Sequence, residues 1–159
     1  MKSVLISIRP EWCGKIVNGE KTIELRKTRP KIDTPFKCYI YCTLGKYDLF
    51  YNPNTDLSAK EYIDTGIILN GKVIGEFMCN LIDIVYQCHS GYVSKYGCIS
   101  RPMFFNYLGL PFETHFGYDK YAYAWRISDL IIYDEPKELS EFGIKRPPQS
   151  WQYIDEVRL

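Results

Sequence analysis

The sequence predicts an α+β fold, a small mixed β-barrel of five to six strands with two to three short helices. Segments rich in aromatic and β-branched residues recur along the chain, whereas helical patterns are few and short. The apolar fraction of 46% and the charged fraction of 25% are ordinary for a folded globular protein. Because 159 residues suit one domain and the sequence has no linker or repeat, we expect a single domain over residues 1–159.

The first third of the chain predicts a strand, a helix and two further strands. Branched aliphatic side chains over residues 3–8 favour a buried strand. Pro10 suits the first turn of a helix, where its missing N–H costs nothing. Gly19 can end that helix, because glycine readily adopts the left-handed conformation found at helix C-termini. Strands are then predicted over residues 21–26 and 36–43.

The middle of the chain contains a hairpin signal. Apolar residues 67–69 precede an Asn-Gly pair at 70–71, which fits the type I′ turn of a β-hairpin. The second arm, residues 73–86, is long for one strand, so we expect a bend or bulge near Gly75 or Asn80.

The remaining segments predict a helix, a long strand and one irregular stretch. Ser100 can cap a helix over residues 101–108, and Gly109 can end it. Aromatic and β-branched residues over 121–133 predict another long strand. Residues 44–65 contain turn residues and no clear period, which is typical of an insertion or a loop.

The charge of the chain is small overall but unevenly distributed. A formal net charge of +1 argues against a broad phosphate-binding surface, since non-specific affinity for nucleic acid depends on the number of phosphates neutralised. Residues 1–31, however, carry eight basic side chains against three acidic ones. The sequence therefore predicts either a local basic face or a solvated charged face in this part of the molecule.

The apolar runs of the chain are short. None approaches the roughly 18 residues needed to cross a membrane. We interpret the first apolar run as a strand rather than a signal peptide, because Arg9 and Pro10 follow it at once. No membrane contact and a cytoplasmic location are expected.

Six cysteines are scattered through the chain without a CxxC pair, and the two histidines, His89 and His115, are not at ligand spacing. This pattern favours buried free thiols in a reducing compartment. A metal site at Cys38 and Cys42 is the alternative, because the two can share one strand face. We predict no metal and no cofactor. The six cysteines are Cys13, Cys38, Cys42, Cys79, Cys88 and Cys98.

The stretch from Gly19 to Arg26 places charged residues at the predicted junction between a helix and a strand. In an extended strand, successive side chains point to opposite faces. A glutamate and an arginine on one face form either an ion pair or part of the wall of a pocket. The alternation predicts two faces, with Thr22, Glu24 and Arg26 on one and Lys21, Ile23 and Leu25 on the other.

The same stretch carries a Gly-x-Lys-x-x-Glu-x-Arg motif, complete at Gly19, Lys21, Glu24 and Arg26. On these residues, and on Trp12 in the preceding helix, the chain resembles the ASCH family of the PUA-like superfamily. The resemblance implies a small β-barrel with a polar cleft beside the motif. It also implies a link to RNA or nucleoside chemistry.

One branch of that family is similar to amidohydrolases that remove an acyl group from acetylated cytidine with a lysine, a threonine and a glutamate. Lys21 keeps the lysine, whereas Glu24 stands where the threonine would fall. The helix predicted over 101–108 contains no acidic residue, and Glu113 lies just past it. We therefore do not carry this activity over to the chain.

We expect the chain to be an ASCH-type module that binds RNA or a modified nucleotide. Unpaired bases are recognised by aromatic stacking together with hydrogen bonds to base edges. The residues expected to line the cleft are Arg9, Trp12, Lys21, Glu24 and Arg26. Besides Trp12, the candidates for stacking are Tyr39, Tyr41, Tyr123 and Trp151.

Two other functions stay open. In the first, the chain is a hydrolase of RNA or acylated nucleosides, with Lys21 as base or electrophile and Glu24 as acid or base. Glu76 is either a second acid at the cleft or a solvent-facing strand residue. In the second, the chain is an adaptor for another protein, and residues 44–65 are the contact.

Overall fold

The computed structural model describes residues 1–52, 66–110 and 120–155, and all structural statements below concern these residues. The expectations that involve Glu113, His115 and most of the segment 44–65 lie outside them.

The chain divides into two compact units, which are described separately. Unit 1 consists of Met1–Gly14, Lys37–Phe77 and Leu130–Leu159. Unit 2 consists of Lys15–Phe36 and Met78–Asp129. The expectation of a single domain stays a prediction.

Ten strands and three α-helices lie in the described residues, which confirms the α+β class. The strand count is higher than the expected five to six because two predicted strands are broken and two further strands, Phe50–Tyr51 and Trp151–Asp155, were not predicted. The strands form three open sheets rather than one closed barrel. The strands are β1 (Lys2–Ile8), β2 (Ile23–Arg26), β3 (Phe36–Cys42), β4 (Phe50–Tyr51), β5 (Ile67–Ile68), β6 (Lys72–Cys79), β7 (Ile82–Tyr86), β8 (Tyr121–Arg126), β9 (Ser128–Lys137) and β10 (Trp151–Asp155). The helices are α1 (Pro10–Val17), α2 (Ser90–Gly97) and α3 (Arg101–Leu108).

Unit 1 is built on a five-stranded sheet in the order β10-β1-β3-β6-β9. β1 pairs antiparallel with β10 and parallel with β3. Gly75 in β6 permits a close approach of β9, because a Cβ atom at this position would collide with the Ile131 carbonyl oxygen. One core cluster of the unit consists of Leu5, Tyr39, Tyr41, Val73, Phe142 and Ile154.

Unit 2 is built on a three-stranded antiparallel sheet in the order β2-β8-β7. Its apolar face packs against side chains of α2 and α3. Leu25 of β2 lies opposite Ala124 of β8, so both side chains point to this face. The core cluster on this side consists of Ile23, Leu25, Val85, Val93, Phe104, Leu108, Ala122 and Ala124.

The hairpin predicted around residues 67–72 is wrong. A turn does form, with Gly71 at φ +77°, but β5 pairs with β4 whereas β6 belongs to the five-stranded sheet. The Asn70 side chain accepts a hydrogen bond from the Leu49 N–H at 2.7 Å and donates one to the Tyr47 carbonyl oxygen at 3.2 Å. These bonds hold the turn against the preceding loop, and the turn does not connect two strands that pair with each other.

Both predicted long strands end where the chain passes from one sheet to another. Residues 73–86 divide into β6 and β7 at Asn80, which confirms the bend expected there. The prediction of one strand over residues 121–133 is wrong, because the chain divides into β8 and β9 at Ile127. Asp129 lies at φ +49°, a left-handed conformation that is uncommon within a regular strand.

Two of the three helices match their predictions. α1 begins at Pro10, and Gly19 beyond its end lies at φ +81°. The Ser100 hydroxyl at the start of α3 accepts a hydrogen bond from the Met103 N–H at 3.4 Å, and Gly109 ends this helix at φ +71°. The sequence did not predict α2, because two of its eight residues are glycines, which are poor helix formers.

Candidate functional site

The motif lies where the chain leaves α1 and enters β2. The Gly19 N–H donates to the Ile16 carbonyl oxygen at 3.0 Å. The Lys21 N–H then donates to the Lys15 carbonyl oxygen at 3.0 Å. These bonds hold the turn that follows the helix, and β2 begins only at Ile23.

Lys21, Glu24 and Arg26 form one buried group of charges, which we name the charged cluster. The Lys21 Nζ lies 3.4 Å from Glu24 Oε2, and Arg26 Nη2 lies 2.9 Å from Glu24 Oε1. The exposed fractions of the three side chains are 2%, 8% and 12%, in chain order. The carboxylate therefore bridges two cations in a site that is largely shielded from water.

The expectation that Lys21 and Glu24 point to opposite faces of a strand is wrong. Alternation applies only within the strand, and Lys21 precedes it by two residues. The alternation therefore does not set the direction of the Lys21 side chain, which reaches the Glu24 carboxylate. Within β2, Ile23 and Leu25 do share the core face, as predicted.

Lys21 is also fixed by α2. Its Nζ donates a hydrogen bond at 2.7 Å to the carbonyl oxygen of Gly97, the last residue of that helix. An ammonium is favourable there, because the C-terminus of a helix carries a partial negative charge. Gly97 also permits tight packing, since a Cβ at this position would lie 3.3 Å from Ile23 Cγ1.

The Glu24 carboxylate can accept further hydrogen bonds. Its Oε2 is buried and accepts no hydrogen bond from the described residues, although the Lys21 ammonium lies nearby. Buried polar atoms are nearly always hydrogen-bonded in folded proteins, so this oxygen favours an additional donor. With two cations and one anion, the charged cluster has a net charge of +1.

Tyr107 of α3 adds a hydroxyl next to β2. This hydroxyl donates to the Leu25 carbonyl oxygen at 3.4 Å. Burial raises the pKa of Tyr107 to about 12, while the Arg26 guanidinium opposes this rise and the Glu24 carboxylate reinforces it. Sequence reasoning did not identify Tyr107, because the pattern of a short helix does not show which tyrosine meets a neighbouring strand.

The charged cluster shares one face of the unit 2 sheet with aromatic residues. Glu24 lies opposite Trp125, and Arg26 lies opposite Tyr123. Trp125 is fully buried and packs edge-on against Phe36, with ring centroids 5.9 Å apart. Tyr123 lines an open groove of about 520 Å³. The other residues that line this groove are Lys27, Thr28, Arg29, Pro30, Lys31, Ile32 and Asp33.

Arg9 and Trp12 lie in unit 1, around the start of α1. Arg9 is exposed, and its carbonyl oxygen accepts hydrogen bonds from the N–H groups of Trp12 and Cys13, both at 3.0 Å. The Trp12 side chain is half-buried. The part that Arg9 and Trp12 take in a ligand site stays a prediction.

The other aromatic candidates of unit 1 pack against other side chains of that unit. Tyr39 and Tyr41 are buried within the core cluster of the unit. Trp151 is half-buried and packs edge-on against Tyr153, with ring centroids 5.4 Å apart. Tyr123 is thus the candidate of unit 2 that lies at a groove.

Glu76 takes part in a bonded network of unit 1. Its carboxylate pairs with Lys37 at 2.9 Å and accepts a hydrogen bond from the Tyr133 hydroxyl at 2.6 Å. The Glu76 side chain is only 15% exposed. The expectation of a solvent-facing side chain is therefore wrong. The alternative, that Glu76 is a second acid at the cleft, stays a prediction.

The cysteines are free thiols, and four of the six are buried, whereas Cys88 is exposed and Cys98 is half-buried. Burial raises the pKa of the Cys79 thiol to about 12. Among residues 1–52, 66–110 and 120–155, no three metal-ligating side chains lie together. No helix in this part of the chain is long and apolar enough to span a membrane.

Comparison with known sequences gives no identification. No family model matches the chain, and no curated protein matches it either.

Comparison with solved structures identifies the fold. The ASCH protein of Zymomonas mobilis is 22% identical, and the match covers 97% of this chain and 88% of that one with a TM-score of 0.56. A serine-to-alanine variant of that protein is 21% identical, covering 97% and 89% of the two chains with a TM-score of 0.61. A tyrosine-to-phenylalanine variant is 21% identical, covering 98% and 92% with a TM-score of 0.62. This likeness shows that the chain shares the fold of these ASCH proteins.

Proposed function

We propose that this chain, which has the fold of an ASCH domain, binds RNA or a modified nucleotide through the charged cluster. The observation that carries the proposal is the buried Glu24 carboxylate held between Lys21 and Arg26. Glu24 Oε2 lies near the Lys21 ammonium but accepts no hydrogen bond from the described residues, so it supports a role in accepting a hydrogen bond from a ligand.

The cluster offers an acceptor next to donors, which is the complement of a nucleobase edge. An exocyclic amine of the base donates to the Glu24 carboxylate, in the way that carboxylates accept from the amino group of cytosine. The adjacent ring acceptor of the base receives a hydrogen bond from Arg26, whose planar guanidinium presents several donors. A phosphate offers acceptors to the cations but no donor to the carboxylate.

We expect a ligand to approach the charged cluster from the side of Arg26. It is the most exposed of the three charged side chains, and it lies opposite Tyr123, which lines the groove of residues 27–33. A nucleotide in this groove contacts Tyr123, and its base edge can be directed towards Arg26, the cross-strand neighbour of Tyr123. Its phosphate then lies near the basic side chains of the same groove.

Discrimination between bases tests the proposal. A site built to accept a hydrogen bond rejects a ligand that lacks the donor, because the buried acceptor is then left unpaired. Cytidine monophosphate carries an exocyclic amine and uridine monophosphate does not. We expect the cytidine nucleotide to bind at least about tenfold more tightly, measured by titration calorimetry.

The matching variant is Glu24→Gln, which keeps the size of the side chain but replaces the carboxylate. We expect it to lose at least about tenfold in affinity for cytidine monophosphate and to lose the preference over uridine monophosphate. The control is Glu20→Gln, since Glu20 pairs with Lys15 in an exposed ion pair. Equal affinities of wild type and Glu24→Gln, with both proteins folded by circular dichroism, would refute the site.

A hydrolase acting on RNA or on acylated nucleosides is the second candidate. The observation that favours it is the distance of 3.4 Å between the Lys21 ammonium and the Glu24 carboxylate in a buried position, since enzymes use side chains of these two types as acid and base. Turnover of either substrate class that Glu24→Gln abolishes supports this function. Binding without turnover by a clean preparation rules it out.

A further inference from the structure

Two Asn-Gly pairs occur in the chain, at residues 18–19 and 70–71. The glycine of each pair lies at a positive φ, +81° for Gly19 and +77° for Gly71. An asparagine that precedes glycine is chemically labile, because the N–H of glycine is not shielded by a Cβ and can approach the side-chain amide of the residue before it. The contacts of each pair then decide how readily it reacts.

The pair at 70–71 is tied to distant parts of unit 1. The Asn70 side chain accepts a hydrogen bond from the Leu49 N–H at 2.7 Å and donates one to the Tyr47 carbonyl oxygen at 3.2 Å. The Gly71 N–H, whose nitrogen would be the nucleophile, donates to the Cys42 carbonyl oxygen at 2.7 Å. Reaction at Asn70 therefore requires bonds to the preceding loop and to the end of β3 to open together, which makes it slow in the folded chain.

The bonds of the pair at 18–19 are local. Both residues are exposed, and a Cβ at Gly19 would meet no atom of the described residues within 4 Å apart from its chain neighbours. The Asn18 side chain donates to the Glu20 carboxylate at 2.6 Å. The Gly19 N–H donates to the Ile16 carbonyl oxygen at 3.0 Å, at the end of α1, where helices fray. These bonds lie within residues 16–20, so the pair can rearrange without opening the core.

The Glu20 N–H makes the Asn18 amide a better electrophile. It donates to Asn18 Oδ1 at 3.1 Å, which draws electron density away from the Asn18 Cγ. The same N–H is in place to stabilise the negative oxygen that forms when a nucleophile attacks this carbon. Asn18 therefore combines an activated side-chain amide with the neighbouring nitrogen of Gly19.

We propose that Asn18 is a modification site at which spontaneous deamidation produces aspartate and isoaspartate. The Gly19 nitrogen loses its proton to a solvent base and forms a bond to the Asn18 Cγ. The bond from this carbon to the side-chain nitrogen breaks, and that nitrogen takes up a proton and leaves as ammonia. Water then opens the resulting succinimide ring at either carbonyl carbon. Opening at one carbon gives aspartate, and opening at the other gives isoaspartate, in which the main chain runs through the former side chain.

Isoaspartate at this position changes the turn that carries the Gly-x-Lys-x-x-Glu-x-Arg motif. It adds one methylene to the main chain between α1 and Lys21, whose N–H donates to the Lys15 carbonyl oxygen at 3.0 Å. The new carboxylate lies beside Glu20 and next to the C-terminus of α1, where negative charge is unfavourable. We expect the modified turn to lose the bond from Lys21 to Lys15, which separates the motif from the preceding helix.

The first experiment follows both pairs in the full chain by peptide mapping with mass spectrometry. The protein is incubated in mildly alkaline buffer, once folded and once in urea, in water enriched in heavy oxygen, which labels the carboxylate formed from the succinimide. In urea the two pairs should convert at similar rates, since both are Asn-Gly. In the folded chain we expect Asn18 to convert at least about tenfold faster than Asn70. Equal rates in the folded chain, or an Asn18 that converts in urea and not in the folded chain, would overturn the proposal.

The second experiment tests the effect on the motif by amide hydrogen exchange. In the isoaspartyl protein, separated from the unmodified chain by ion exchange, we expect the Lys21 N–H to exchange at least about tenfold faster than in the unmodified chain. Asn18→Asp adds the charge without the longer main chain and should have a smaller effect. Asn18→Gln, whose longer side chain would have to close a larger ring, should stay unconverted and keep the slow exchange.

Unchanged exchange of the Lys21 N–H in the isoaspartyl protein would refute the link between Asn18 and the motif. An increase that Asn18→Asp reproduces in full would assign the effect to the charge and refute the role of the lengthened main chain. Neither experiment contains a nucleotide, so this inference and the proposed binding site fail separately.

Discussion

The two faces of the β2-β8-β7 sheet differ in almost every physical respect. One face is apolar, with Leu25 and Ala124 packed under α2 and α3. The opposite face carries Glu24, Arg26 and Tyr123. Adjacent residues of the same short strand therefore serve different purposes, because the alternation of a strand sends each to its own environment. One face of the sheet belongs to the core, and the other carries residues of the proposed site.

The polar face itself changes along β8. At one end, Trp125 is fully buried next to the charged cluster. At the other end, Tyr121 is 45% exposed. A single strand thus passes from a shielded position next to the charged cluster to an open surface.

The largest expected effect lies on the apolar face. Leu25→Ala removes a side chain that is 5% exposed and leaves a cavity in the core cluster, which should lower the free energy of unfolding by about 3 kcal/mol. Urea denaturation followed by tryptophan fluorescence measures this change.

The matched control for Leu25→Ala is Ile84→Ala on the polar face. Ile84 is 48% exposed, so its truncation should lower the free energy of unfolding by less than about 1 kcal/mol. Equal losses in the two variants would contradict the division of the sheet into a core face and a polar face that adds little stability.

A smaller effect is expected in the charged cluster. Lys21→Met removes the ammonium that lies near Glu24 and that bonds to the Gly97 carbonyl oxygen. Arg26 still neutralises the carboxylate, so the loss should be about 2 kcal/mol rather than that of an isolated buried charge. Denaturation curves at neutral pH provide the measurement.

An exposed ion pair of the same unit is the reference for Lys21→Met. Lys15 lies 3.3 Å from Glu20, with side chains 41% and 55% exposed, and Lys15→Met should change the free energy of unfolding by less than about 0.5 kcal/mol. If Lys21→Met lowers the free energy of unfolding by no more than Lys15→Met does, the buried cluster adds no more stability than a surface ion pair.

Local rules predicted the helices that begin and end at characteristic residues. α1 and α3 follow from Pro10, Gly19, Ser100 and Gly109, whose roles depend only on neighbouring backbone. The pairing of strands depends on distant residues instead. The turn before β6 contains the Asn-Gly pair of a hairpin, yet the Asn70 side chain bonds to the loop before β4, and no local rule includes that loop.

The candidate site was predicted in part for the same reason. The motif identified Lys21, Glu24 and Arg26, and the proximity of Glu24 to Arg26 follows from strand alternation. The contact between Lys21 and Gly97 joins residues 76 positions apart. It depends on a helix with weak propensity that the sequence did not predict. The position of Tyr86 opposite Tyr121 likewise depends on the register between β7 and β8, which only the fold determines.

The smallest expected effect concerns Tyr107 and appears only at high pH. Because its pKa is raised from 10.0 to about 12, the unfolded chain releases the Tyr107 proton at a lower pH than the folded chain. The unfolding free energy therefore includes a contribution that is fully present below about pH 10 and is lost as pH rises towards about 12. Since Tyr107 is only partly buried, we expect this contribution to be on the order of 1 kcal/mol. Tyr107→Phe removes the titrating group, so its unfolding free energy should fall less than that of wild type between about pH 9 and about pH 11.5. Urea denaturation at the two pH values measures the difference, and parallel losses in the two proteins would show that the hydroxyl next to Leu25 titrates alike in the folded and unfolded chain.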